Sequence, residues 1–243
     1  MQDFIYEGGI RILYGAEQLP RVAEEITKLG RRMLVIPTGS FLSGGHYETL
    51  ERALTGAGLV VFRLNAGRKP LLSKVQEGVR LCAEKQIDVV LGIGGGVSID
   101  LAKAIAFGAR NTDVPVENFL TYAVPTEGRP MLPVVTIPTN PMSGSETNAD
   151  VQITLDESGL QAGCGVGIAV FTWLNPEYVM SLPDRVLAYG QMTAFVQLSL
   201  NYLNLTRSPL AEHYAEASMK TVLECLRRSL ANKQDVNAQG TLL

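Results

Sequence analysis

Apolar positions along the chain switch repeatedly between two periods. Over 17–29 they fall at Leu19, Val22, Ile26 and Leu29, the three-and-four spacing of a helix with one buried stripe. Residues 32–37 (RMLVIP) are a short apolar run that reads as a buried strand. The alternation continues with a helix over 47–54 closed by Gly56 and Gly58, a strand over 59–64 and a helix over 72–84. A strand over 87–93 (IDVVLGI) and a helix over 98–107 follow, with Asp100 in the first turn, where the helix dipole favours a negative charge. The Pro-rich stretch 113–130 reads as loop, 133–138 as another buried strand and 149–155 as a half-exposed or edge strand. A turn over 156–159, a strand over 168–174 and a short helix over 176–182 complete this part. Near-continuous apolar strands alternating with helices predict an α/β fold: a doubly wound, mostly parallel, Rossmann-like sheet covered on both faces. The character changes at Pro183, so the reading is an α/β domain over 1–182, to which the motifs below assign dinucleotide binding, and the start of an all-helical domain over 183–243. The latter holds two helices, split near Arg207, Ser208 and Pro209.

Bulk properties narrow the function classes. The 243 residues are 46% hydrophobic and 19% charged, as in an ordinary globular protein. A net charge of -3 with no Lys/Arg-rich run excludes a nucleic-acid partner, because phosphate binding needs a basic surface. No apolar run reaches the roughly 20 residues that span a bilayer. Residues 1–4 lack the charged-then-apolar start of a signal peptide, so the expected location is cytoplasmic. Cys82, Cys164 and Cys225 are odd in number and far apart, which fits reduced thiols rather than a disulfide frame or a zinc ribbon.

Two segments carry candidate chemistry. At Gly94, Gly95 and Gly96 a strand ends, the chain turns and a helix begins with Val97, Ser98 and Asp100. Glycine lets backbone N–H groups approach a pyrophosphate, and a helix N-terminus adds unpaired donors and a positive dipole end. The spacing is not the usual G-x-G-x-x-G, and glycine turns also serve packing. The second segment, 136–148, gathers Thr139, Asn140, Ser143 and other small polar residues directly after a buried strand. Open α/β folds bind ligands at that end of the sheet.

These segments resemble those of the iron-dependent, group III alcohol dehydrogenases. Residues 94–103 are similar to the family's GGGS-x-x-D-x-A-K, and 136–148 to its T-I-P-T-T-A-G-T-G-S-E. Asn175-Pro176 followed by Ser181-Leu182-Pro183 resembles its D-P-x-x-x-x-S-L-P. The resemblance runs in register from Tyr14 to about Lys220, and the Gly144–Asn148 ending is that of the butanol-dehydrogenase-like branch. It implies a nucleotide with its pyrophosphate on residues 94–100 and its ribose and nicotinamide near Thr139, Asn140 and Ser143. Members that prefer NAD often carry Asp after the first strand of this unit. Here that position falls on Thr38, followed by Gly39 and Ser40, so the expectation is NADP over NAD.

The resemblance also exposes departures. The family holds iron or zinc with one Asp and three His, two of them from G-x-x-D-x-x-x-H on one helix. The matching segment starts at Gly190 and carries Thr193 at the Asp position and Gln197 at the His position. A hydroxyl and an amide are poor ligands for a first-row divalent ion. The other two His would lie beyond Leu243, and neither His46 nor His213 aligns with a ligand position. Lys69 replaces the Asn of the family's P-N-P-T, Leu160 stands at a ribose-contacting Lys, and Val97 at the usual Ser. The family metal is therefore expected to be absent and no catalytic residue is assigned. Two functions stay open: an NAD(P)-dependent oxidoreductase acting on a small alcohol or aldehyde, and a non-catalytic nucleotide-binding or assembly protein. Relatives of the dehydroquinate-synthase or glycerol-1-phosphate-dehydrogenase type share the metal plan and meet the same gaps. Finally, 186–203 is apolar on most sides, which predicts a homo-oligomer.

Overall fold

The computed structural model describes residues 9–204, 208–232 and 234–242. Its centre is a six-stranded sheet built from β1 (Arg11–Tyr14), β2 (Arg32–Pro37), β3 (Val60–Arg63), β4 (Val89–Gly94), β5 (Val134–Pro138) and β8 (Phe171–Leu174). The strand order is β1-β8-β5-β4-β2-β3, and every neighbouring pair is parallel. β4 and β5 are buried along their whole length and β2 at all but its first residue, as their unbroken apolar runs require. A separate antiparallel pair, β6 (Asp150–Thr154) and β7 (Gln161–Gly165), lies outside this sheet.

Helices connect the strands. α1 (Leu19–Thr27) buries Val22, Ala23 and Ile26, the predicted stripe. α2 (Gly39–Ser43) and α3 (His46–Gly56) join β2 to β3, and α4 (Leu72–Glu84) leads to β4. α5 (Gly96–Gly108) buries most of its residues, and α6 (Val116–Leu120) is a short helix inside the stretch expected to be loop. α5 begins two residues earlier than expected, so Asp100 sits past its first turn. β1, α2 and β7 were not foreseen, and the strand expected over 168–174 is confined to Phe171–Leu174.

The chain divides into two units that are not contiguous in sequence. Ile10–Pro138 with Gly144–Leu174 forms the sheet unit. The second unit gathers Thr139–Ser143 with the described residues from 175 onward. It contains α7 (Pro176–Met180), α8 (Asp184–Tyr202), α9 (Pro209–Ala231) and α10 (Val236–Leu242), one helix more than the sequence suggested. The Ser208 side chain caps α9 by accepting from the Ala211 N–H, which starts the helix where the break was expected. Arg207, the first residue of that expected break, lies outside the described residues, as do residues 1–8. No helix among the described residues is long and apolar enough to cross a membrane.

An ion pair ties β1 to α1. Arg11 Nη1 donates to Glu25 Oε2 at 2.7 Å, and Lys28 Nζ donates to Glu25 Oε1 at 2.9 Å. The Arg11 hydrogen bond, then that from Lys28, lowers the Glu25 carboxyl from 4.5 to about 2. A carboxyl depressed in the folded state stabilises it above the unfolded value, and that contribution is lost as pH falls through the folded value. Glu25→Gln should therefore be less stable than the parent above pH 4.5, and the difference should vanish as the pH approaches 2. Urea midpoints measured across that range check this, and a pH-independent difference would contradict it.

Candidate functional site

The topology creates a crevice before any side chain is considered. The chain leaves β2 toward β3 and leaves β4 toward β5, in opposite directions across the sheet. At such a switch point the connections diverge and leave space at the carboxyl ends of the two strands. Those ends are adjacent: Pro37 pairs with Ile93, and the Thr38 N–H donates to the Ile93 carbonyl at 3.0 Å.

Glycine lines one wall. Gly94 ends β4 at φ 145, and a Cβ there would meet Thr38 Cγ2 at 2.4 Å and Ser98 Oγ at 2.8 Å. Neither the backbone nor the space admits another residue. Gly95 is the extended residue before α5, and the helix starts at Gly96. The Ser98 and Ile99 amides return to the Gly95 carbonyl. Gly96 and Val97 precede them, at positions where a helix leaves its N–H groups without an intrahelical partner. Ser98 is fully buried, yet its Oγ has no hydrogen-bond partner. An unmet buried hydroxyl costs about 1–3 kcal/mol. A phosphate oxygen at the helix N-terminus would satisfy it.

The other wall is Thr38, Gly39 and Ser40. The Thr38 and Ser40 hydroxyls lie 3.2 Å apart at the start of α2, and Gly39 and Ser40 are exposed. The structure thus brings together Thr38, Gly39, Ser40 and residues 94–98 of the sequence-derived set. Thr139, Asn140 and Ser143 fall in the helical unit, where Asn140 Oδ1 is buried without a partner. Thr136, opposite Gly92 in β5, also has a buried, unpartnered hydroxyl.

Asp100 is turned toward the chain itself. Its carboxylate accepts from Ser145 Oγ and, at 3.0 Å, from the Gln152 N–H. Beside it, burial pushes the Lys103 ammonium down and the Glu146 carboxyl up, with Lys103 drawing Glu146 back. Burial likewise raises Asp100. Sequence reasoning named Lys103 only as the end of a motif and gave Glu146 no role of its own. The available signal was the three-residue spacing of Asp100 and Lys103, which places both on one helix face.

The family's metal positions do not fit a metal. Thr193 and Gln197 are exposed on α8, and the Thr193 hydroxyl donates to its own helix's Tyr189 carbonyl at 2.8 Å. A neutral hydroxyl so engaged and an amide lack the charge and basicity such an ion requires. His46 stacks near Phe41, and His213 Nδ1 lies 2.6 Å from the Pro209 carbonyl. Lys69 and Leu160 are exposed. No group of three or more His, Cys, Asp or Glu among the described residues is placed to hold a metal ion. Cys82, Cys164 and Cys225 are buried free thiols.

A family model described as iron-containing alcohol dehydrogenase matches residues 10–171. The chain is 29% identical to a probable NADH-dependent butanol dehydrogenase 2 of Bacillus subtilis over all of its own length and 63% of that protein. An NADP-dependent alcohol dehydrogenase 3 of Entamoeba histolytica is 27% identical over 99% of this chain and 64% of its own. Among solved structures, an NADH-dependent butanol dehydrogenase A from Thermotoga maritima superimposes with a TM-score of 0.91 at 25% identity, covering 100% of this chain and 61% of that one. The chain thus spans less than two thirds of the length of these proteins.

Proposed function

Because the chain belongs to the iron-containing alcohol dehydrogenase family, we propose that it binds a nicotinamide dinucleotide at the β2/β4 switch point and derives from NAD(P)-dependent oxidoreductases of small alcohols and aldehydes. The observation that carries this reading is the buried, unpartnered Ser98 hydroxyl beside the glycine turn and the α5 N-terminus. In this reading the pyrophosphate rests on residues 94–98, with the adenosine ribose toward Thr38, Gly39 and Ser40. Asp100 acts through the segment it holds. No acid stands between Val35 and Tyr47 to repel a 2′-phosphate, which favours NADP over NAD. Calorimetric titration should show NADPH binding more tightly than NADH. Ser98→Ala should weaken both by roughly tenfold while leaving unliganded stability equal or higher, because it deletes an unmet hydroxyl. An unchanged affinity would sink the assignment of the cradle.

A second reading is supported by Thr193 and Gln197: nucleotide binding without efficient turnover. A bound nicotinamide supplies a hydride, and the substrate oxygen needs an electrophile that these two residues cannot hold. Purified protein should carry no stoichiometric iron or zinc and should not oxidise NADPH in the presence of short aldehydes. Bound metal together with turnover would defeat this reading and favour the oxidoreductase.

α8 presents an apolar stripe to solvent, with Tyr189 57%, Val196 50% and Leu200 65% exposed. Residues 186–203 contain no charged side chain, so two copies of this face meet without like-charge repulsion. In this reading a second copy of the chain covers the stripe. Sedimentation should give a dimer or larger species that Leu200→Lys converts to monomer. A monomeric parent at micromolar concentration would count against it.

A further inference from the structure

Two charged side chains of α5 lie outside the phosphate cradle. Lys103 is fully buried, and its ammonium donates to the carbonyls of Ser145 at 2.8 Å, Asn148 at 3.2 Å and Asp150 at 2.5 Å, and to Asn148 Oδ1 at 3.2 Å. Asp100, almost one helical turn earlier, accepts from Ser145 Oγ and the Gln152 N–H. Asn148 is fixed in its turn. Its Nδ2 donates to the Gly144 carbonyl at 3.0 Å, and its Oδ1 accepts the Asp150 N–H at 2.9 Å. One helix face is thereby laced to Ser145, Asn148, Asp150 and Gln152.

Such an arrangement is costly. A buried ammonium is unfavourable unless its protons are all met, and an apolar side chain of similar volume would fill the space without that cost. What the ammonium adds is direction. Its three protons select one placement of the carbonyls around them, which a methyl group cannot do. We propose that Lys103, supported by Asp100, is a positioning residue for the nucleotide site. It locks 145–152 to the helix whose N-terminus forms the phosphate cradle. The loop that leaves β5 after Pro138 is then anchored at its far end from Ser145 onward. Fixing 145–152 on that helix also holds the glycine turn and the helix N-terminus in one arrangement. This inference rests on the nucleotide reading of the site.

The test uses the whole chain, NADPH as probe and hydrogen exchange as a second readout. Lys103→Met should bind NADPH roughly tenfold to a hundredfold more weakly, and amides at 144–152 should exchange faster while those of Val89–Gly94 stay protected. Ile26→Ala, in the buried stripe of α1, lowers overall stability and should leave the affinity unchanged, which separates positioning from general destabilisation. Asn148→Ala removes one acceptor and should show a smaller loss in the same direction. It decides the matter if Lys103→Met does not fold. Parent-like NADPH affinity in either folded variant overturns the proposal. If the parent itself does not bind NADPH, the nucleotide reading falls. Exchange at 144–152 then judges the lock by itself: faster exchange in Lys103→Met supports it and unchanged exchange overturns it.

Discussion

The close packing of α5 on β4 is the constraint from which the sheet unit follows. A Cβ at Gly92 would stand 3.0 Å from Ala102 Cβ and 3.1 Å from Ile99 Cα. The helix therefore lies directly against the strand, and its small residues let most of its surface disappear into the core. Once α5 is fixed this way, three things are placed together. Its N-terminus opens at the end of β4, its middle carries Asp100 and Lys103 toward 145–152, and its far end meets α6. The place of the helix N-terminus and the burial of Asp100 and Lys103 both follow from the seating of one helix.

The same seating explains the mixed electrostatics of the unit. The helix start has a positive dipole end, and residues 38–40 beside it carry no acidic side chain. One turn further on, charge is buried rather than offered to solvent. Lys103 and Asp100 spend their hydrogen-bonding capacity on backbone and hydroxyl partners. The anion-attracting end and the internally neutralised middle share a helix without competing, because burial confines the second set to partners within the chain.

Legibility in the sequence followed burial. β2, β4 and β5 are covered on both faces, so their apolar runs announce them, and α4 occupies the span its stripe predicts. β1 turns only Leu13 inward while its neighbours Ile12 and Tyr14 are exposed, so its consecutive apolar residues mark no face. β7, Gln161–Gly165, is built from small residues and exists through its antiparallel register with β6. α10 has no apolar stripe to reveal it. The glycine turn was legible because glycine is a backbone statement. The partners of Lys103 were not, because three of its four acceptors are carbonyl oxygens that every residue possesses.

The site positions differ in what their identity says about function. Gly94 would be required by packing alone, since any Cβ collides with Thr38 and Ser98. Its presence is therefore compatible with a turn that binds nothing. Ser98 is different. Folding by itself would favour an apolar residue in that fully buried place, so an unmet hydroxyl there argues for a ligand. Thr193 and Gln197 stand at the opposite extreme. They are exposed on α8, where His or Asp would cost the fold little, so packing does not explain their identity. Ligand chemistry alone would have demanded Asp and His at these positions, and it is not met. Ser98 keeps an unmet hydroxyl where folding favours an apolar residue, and Thr193 and Gln197 lack ligand chemistry where folding would tolerate it, so at both places packing leaves the identity of the side chain unexplained.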